Sequence, residues 1–248
     1  MKIKSVKAFP INIAPRPTTK PRVQEDPNGG YFASPMDRYA SDRPGRTWSD
    51  NWDRVACVVT ADDGTWGLGV SIAAGPVTSI INDHFSELIV GLNPMATEKL
   101  WDMMRRASAA HGTAGIASYA ISAVDNAIWD LKGKLLNRPV YELLGGPVKE
   151  QIFCYASNTM LKYKTSDYMD WFMDLGFKAV KVFLRHGPEE GLAGLNKNVE
   201  IIANVREQIG PDVELAVDSW LSLNIEYAVC LLYTSPSPRD GLLSRMPS

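Results

Sequence analysis

Asp218 closes the run Val213-Glu214-Leu215-Ala216-Val217-Asp218, a short apolar strand pattern that ends on a carboxylate. In a β/α barrel the reacting groups stand at the C-terminal ends of strands. A carboxylate there can be one ligand of a hard, oxygen-seeking cation, or it can cap the turn that follows. Lys181 lies in an earlier strand pattern, Lys178-Ala179-Val180-Lys181-Val182-Phe183. Alternation puts it on one face with Ala179 and Phe183. Its ammonium there either meets an anion or snorkels to water. Arg46 belongs to a long irregular stretch; a guanidinium forks onto carboxylates and hydroxyls, and in a loop it can equally stay solvated. His186 follows the Lys181 strand as a loop histidine. His84 and His111 read as helix-surface or helix-end residues, and Trp220 either lines a pocket or packs.

The second half of the chain supplies the elements such a site needs. From Gln151 on, strands over Ile152–Ala156, Lys178–Leu184 and Glu214–Asp218 alternate with helices over Ser166–Leu175 and the Gly194–Gly210 region. That is the pattern of βα units on a parallel sheet. The first half reads differently. Ile3–Ile13 is strand-like, and Val55–Thr60 and Trp66–Ile72 flank Ala61-Asp62-Asp63-Gly64, a strong hairpin signal. These runs make an antiparallel meander interrupted by Pro15–Arg54, which has many prolines and no sustained period. Helices follow over Val77–Val90, Thr97–Ala109 and Ile116–Leu136, the last with Val124, Ala127, Ile128 and Leu131 on one face. Val140–Leu144 is a helical turn stopped by Gly145-Gly146. A domain boundary is therefore placed near residue 145. A further helix begins at Asn224, and Pro236 and Pro238 break it. Composition alone reads residues 231–248 as a Pro/Ser-rich linker. The stretch also resembles translated adapter sequence at the end of an assembled reading frame, and on that ground it is expected to be non-native.

Composition excludes several classes. The 248 residues are 45% hydrophobic and 22% charged, an ordinary soluble balance with enough apolar material for a core. A net charge of −2 leaves no basic footprint for nucleic acid and no polybasic membrane patch. No apolar run reaches the roughly 18 residues of a membrane span, and the N-terminus lacks the apolar core of a signal peptide. Cys57, Cys154 and Cys230 have neither zinc-type nor redox-type spacing. They read as buried thiols in a reducing compartment, with the cytoplasm as the expected location.

The stretch Ser122-Ala123-Val124-Asp125-Asn126-Ala127-Ile128-Trp129-Asp130-Leu131-Lys132-Gly133-Lys134, followed by Pro139-Val140-Tyr141 and Leu143-Leu144-Gly145-Gly146, resembles the junction of cap and barrel in the mandelate racemase and muconate lactonizing enzyme family of the enolase superfamily. Lys181 and Asp218 fall where that family keeps functional groups. The resemblance implies an α+β N-terminal capping domain over 1–145 and then the first three strands of an α/β, TIM-like barrel over 146–230, incomplete. Within the superfamily the chain is most similar to the L-rhamnonate dehydratase group. Ala33-Ser34-Pro35-Met36, with Tyr39 and Arg46, resembles that group's loop over the barrel mouth, and Asp218-Ser219-Trp220 resembles its Asp-Cys-Trp.

That likeness implies Mg²⁺ as cofactor, with Asp218 as one ligand and two further acidic ligands on the next two strands. It implies that Lys181 and Arg46 bind substrate. The catalytic His-Asp pair would come from later strands, so no catalytic residue is expected within this chain. The implied reaction, in the full-length parent, is dehydration of an aldonate such as L-rhamnonate to a 2-keto-3-deoxy acid through an enediolate, by a homo-oligomer. Relatives with a lysine base carry Lys-x-Lys where this chain has Lys181-Val182-Phe183, which argues against two-base racemisation. The group's loop histidine is absent from residues 15–34, which leaves the sugar open. The alternatives are a racemase or cycloisomerase of the same family, or a non-catalytic regulatory relative. The 248-residue chain itself is expected to be a C-terminally truncated, poorly soluble and inactive fragment.

Overall fold

The computed structural model describes residues 1–12, 32–39, 54–157 and 165–234. Arg46, most of the Pro15–Arg54 stretch and the Pro/Ser-rich tail from 235 lie outside the described residues. The described chain divides into two compact units, one holding residues 1–12 and 54–151, the other 32–39, 152–157 and 165–234.

The first unit is built on strands β1 (Ile3–Ile11), β2 (Arg54–Ala61) and β3 (Trp66–Ser71), antiparallel in that order, with Val6 opposite Val59 and Val58 opposite Leu68. The Asp62-Asp63-Gly64 turn joins β2 to β3, and Gly64 takes the left-handed backbone (φ +89°) that the turn needs. Helical segments follow: α1 (Ala74–Ser79), a π-helical stretch over Ile80–Phe85, α2 (Ser86–Ile89), α3 (Thr97–Ala107), α4 (Ile116–Leu136) and α5 (Val140–Leu143). The expected helix over 77–90 is thus one continuous coil whose middle is π-helical. The coil buries Val77, Ile81, Phe85 and Ile89 in the same core as Val55 and Val59.

Helix α4 lies directly on β3. A Cβ on Gly69 would overlap the carbonyl of Ala123, and one on Gly67 the carbonyl of Ala127, so only glycine admits this approach. Side chains also satisfy backbone groups that the strands leave unpaired. On β1, the Ala8 N–H donates to Asn82 Oδ1 (2.8 Å) and Asn82 Nδ2 donates to the Ala8 carbonyl (2.9 Å). On β3, the Leu68 N–H donates to Asp130 Oδ2 (2.8 Å), and Lys134 Nζ donates to the Trp66 carbonyl (3.0 Å). Polar partners of this kind quiet a sheet edge that would otherwise recruit another strand.

The second unit holds β4 (Ala156–Ser157), α6 (Thr165–Asp174), β5 (Ala179–Phe183), α7 (Gly191–Ile209), β6 (Glu214–Asp218) and α8 (Ile225–Thr234). The strands are parallel in the order β4-β5-β6, the arrangement expected of the first part of an α/β barrel. Val180 and Val182 pack with Met169, Phe172 and Val205 of the flanking helices. Alternation sends Lys181 and Phe183 to the other face.

Two expectations are corrected. The strand placed over Ile152–Ala156 is only the pair Ala156–Ser157, because only those residues find register on β5; Ile152 and Phe153 are 79% and 65% exposed. Of the three cysteines Cys57 alone is buried, and Cys154 and Cys230 are exposed. Helix α8 ends at Thr234, ahead of Pro236, and Leu231 packs with Leu184 and Ile202. Among the described residues no helix is long and apolar enough to cross a membrane.

Candidate active site

Register brings the two predicted side chains together. Lys181 lies opposite Ala216 and Phe183 opposite Asp218, so Lys181 and Asp218 are diagonal neighbours on adjacent parallel strands. Lys181 Nζ sits 3.0 Å from Asp218 Oδ2, with both side chains mostly covered. Lys181 Nζ also donates to Tyr155 Oη (3.4 Å) and lies 5.2 Å and 5.3 Å from the ring centres of Tyr155 and Phe183. The other oxygen of Asp218, Oδ1, accepts the Trp220 N–H at 3.0 Å. The capping reading of Asp218 is therefore realised by one oxygen, and the other oxygen faces Lys181. Trp220 and Leu221 both take left-handed backbone (φ +45° and +64°), and this sharp turn returns the Trp220 N–H to the carboxylate.

The electrostatics follow from these contacts. Burial pushes the Asp218 carboxyl up, but the Trp220 N–H and the hydrogen bond and charge of Lys181 outweigh it, so the group sits below its ordinary value. The hydrogen bond to Asp218 leads in holding the Lys181 ammonium above its ordinary value, against partial desolvation. At neutral pH both groups are charged.

An aromatic wall stands beside the pair. Phe32 packs on Trp220 (4.8 Å between ring centres) and on Phe183 (5.7 Å). Phe32 is held there because the Ala33 N–H donates to the Leu184 carbonyl (2.8 Å) and Ala33 is fully buried. The Ser34 N–H and hydroxyl both donate to the Asp37 carboxylate, closing the turn Ser34-Pro35-Met36-Asp37. The segment that resembled a loop over a barrel mouth is thus docked at the exit of β5. Trp220 packs within this wall.

Other sequence candidates lie elsewhere. The ring of His186 pairs with Glu190 (Nδ1 to Oε1 2.8 Å), and His84 and His111 are exposed. Sequence reading missed Tyr155 and Phe32. Tyr155 was findable: it shares the parity of Ser157, the residue opposite Lys181. Phe32 carried no signal, because its placement depends on a docking with no periodicity.

Asp218 suits one position in an oxygen shell, since it is ionised and accessible. Among the described residues no three His, Cys, Asp or Glu side chains gather to hold a metal. The residues present therefore fit a hard cation in kind but supply one acidic ligand.

Residues 49–145 match the family model of the mandelate racemase / muconate lactonizing enzyme N-terminal domain. An L-rhamnonate dehydratase from Saccharopolyspora erythraea is 39% identical over 207 residues, covering 83% of this chain and 51% of that protein. The crystal structure of L-rhamnonate dehydratase from Gibberella zeae superposes with a TM-score of 0.78 at 31% identity, over 94% of this chain and 55% of that one. A rhamnonate dehydratase structure from the same organism complexed with Mg gives the same TM-score and identity, over 56% of its length. The chain spans about half the length of the curated relatives it matches.

Proposed function

We propose a function for a chain that belongs to the mandelate racemase / muconate lactonizing enzyme family of the enolase superfamily: Mg²⁺-dependent dehydration of an acid sugar, an aldonate such as L-rhamnonate, to a 2-keto-3-deoxy acid. The observation that carries the reading is the Lys181–Asp218 pair at adjacent strand ends, walled by Phe32, Phe183 and Trp220. In this reading Asp218 is one Mg²⁺ ligand, and the metal supplies positive charge against the substrate carboxylate. Lys181 holds its ammonium where negative charge grows as the α-proton leaves. Tyr155 steadies that ammonium. Arg46, outside the described residues, is the proposed partner of the sugar's hydroxyls or carboxylate. The α-proton would pass to the base of the expected His-Asp pair, the β-hydroxyl would take a proton from a general acid and depart as water, and the enol formed relaxes to the keto acid.

Racemisation is disfavoured at a specific position. Phe183, where lysine-base relatives have their second lysine, is nearly buried beneath Phe32 and Trp220. The test is a panel of five- and six-carbon acid sugars given to the protein from its complete reading frame, with and without EDTA. The expected result is a 2-keto-3-deoxy acid from at least one sugar, lost on chelation and restored by Mg²⁺. No keto acid from any sugar, or turnover indifferent to EDTA, would sink the proposal.

A further inference from the structure

Asn198, in the middle of α7, is fully buried, and its amide uses every hydrogen-bonding position it has. Its Oδ1 accepts the backbone N–H groups of Arg185 and His186, each at 3.2 Å. Its Nδ2 donates to the His186 carbonyl (2.7 Å) and to the Tyr227 hydroxyl (3.2 Å). The Tyr227 hydroxyl in turn donates to the same His186 carbonyl (3.3 Å). Nothing in the proposed chemistry uses this cluster, yet it is where two functional strands leave the sheet.

The first connection is to β5. Arg185 and His186 directly follow Leu184, whose N–H donates to the backbone carbonyl of Asp218 (2.9 Å) and whose carbonyl accepts the Ala33 N–H. Pinning the next two peptides therefore fixes the last rung of the β5–β6 ladder and the dock of Phe32. The second connection is to β6. Tyr227 lies at the start of α8, the element after Asp218, and its N–H is capped by Asn224 Oδ1 (2.8 Å). Helix α7 must also come close to the loop: a Cβ on Gly194 would stand 3.1 Å from the His186 Cβ. A buried amide that closes all its bonds around one loop defines a single geometry, because any other leaves buried polar groups unpaired.

We infer that Asn198 is a positioning residue of the site, one amide that ties the exit of the Lys181 strand to the helix following Asp218 and so sets the lysine, the carboxylate and the Phe32 wall against one another. The catalytic half of this inference rests on the dehydratase reading; the positional half does not, and the experiment separates them.

Asn198→Ala and the milder Tyr227→Phe are made in the protein from its complete reading frame. Amide hydrogen exchange is followed at Ala33 and Leu184, with Val180 and Val182 of β5 as internal references. Losing a buried hydrogen bond worth about 1–3 kcal/mol predicts exchange faster by roughly ten- to a hundredfold at Ala33 and Leu184 in Asn198→Ala. The references should be unchanged, and Tyr227→Phe should show a smaller effect of the same pattern. On an active sugar, kcat/KM should fall about tenfold or more in Asn198→Ala while the folded fraction stays full. Should Asn198→Ala not fold, Tyr227→Phe decides by the same pattern. Unchanged exchange at Ala33 and Leu184, or an equal rise at Val180 and Val182, overturns the inference and leaves Asn198 a general stabiliser. If the wild type turns over no sugar, the dehydratase reading fails, and the exchange pattern still decides the positional claim.

Discussion

A double-mutant cycle on Lys181 and Asp218 tests whether the strand-end pair is a coupled unit. Two unit charges 3.0 Å apart attract by roughly 5 kcal/mol at the effective dielectric of about 20 that suits such positions. Desolvation takes most of that back. The Lys181 and Asp218 side chains keep 21% and 28% of their surface in water, between an exposed pair worth about 0.2–1 kcal/mol and a buried one whose breakage costs about 3–5 kcal/mol. We expect a coupling of about 1–2 kcal/mol between Lys181→Met and Asp218→Asn, read from urea unfolding of metal-free protein at pH 7. The coupling has a pH window. Asp218 is held below its ordinary value, so its contribution is present above the ordinary carboxylate range and is lost as pH falls through the lowered folded value. Lys181 is held above its ordinary value, so its contribution is present below the ordinary lysine range and is lost as pH rises through the raised folded value. Coupling should therefore be flat across neutral pH and fade at both extremes, on the acid side only below the ordinary carboxylate range. A coupling under about 0.3 kcal/mol at pH 7, or one that grows as pH falls below the ordinary carboxylate range, would refute the reasoning.

Two other outcomes are expected. Asp218→Asn in the protein from its complete reading frame should weaken Mg²⁺ binding at least about tenfold and cut turnover further, measured by calorimetry and keto-acid release; wild-type affinity would remove Asp218 from the metal site. Gly69→Ala should destabilise the first unit by about 3 kcal/mol, seen as a lower melting temperature by circular dichroism, because the new methyl meets the rigid backbone of α4; a neutral substitution would mean that α4 can lift off β3.

Local rules made much of this legible. The Asp63-Gly64 turn, the bounds of α4 at Ile116 and Leu136, and the bounds of β6 at Glu214 and Asp218 depend on near neighbours in sequence, where turn chemistry and periodicity act. The Lys181–Asp218 pair was half legible. Alternation gave the face of Lys181 and the strand pattern gave the end at Asp218, but their 3.0 Å approach needs the register between β5 and β6, which no single segment encodes. The rest is tertiary. Four residues of the expected Ile152–Ala156 strand lie exposed because pairing, not β propensity, makes a strand. Asn198 looked like an ordinary polar residue on a helix, and only the closeness of α7 to the Arg185–His186 loop makes its amide buried and fully bonded.

The residues that carry the family likeness and those that carry the proposed chemistry turn out to be different sets, for a physical reason. In α4 the likeness runs through Ala123, Ala127, Asp130 and Lys134. Ala123 and Ala127 present their carbonyls to Gly69 and Gly67, and Asp130 and Lys134 satisfy the backbone of β3. Each of these positions is tied to a partner on β3, so a substitution there disturbs the packing of α4 on the sheet. Lys181 and Asp218 stand under the opposite condition. They meet at the end of the sheet with few packing partners beyond Tyr155 and the Trp220 turn, and Lys181-Val182-Phe183 in place of Lys-x-Lys alters the available bases without touching the Val180–Val182 core. The match over residues 49–145 therefore rests on the packing of the first unit, whereas the proposed choice of dehydration over racemisation rests on a few side chains at the exits of β5 and β6.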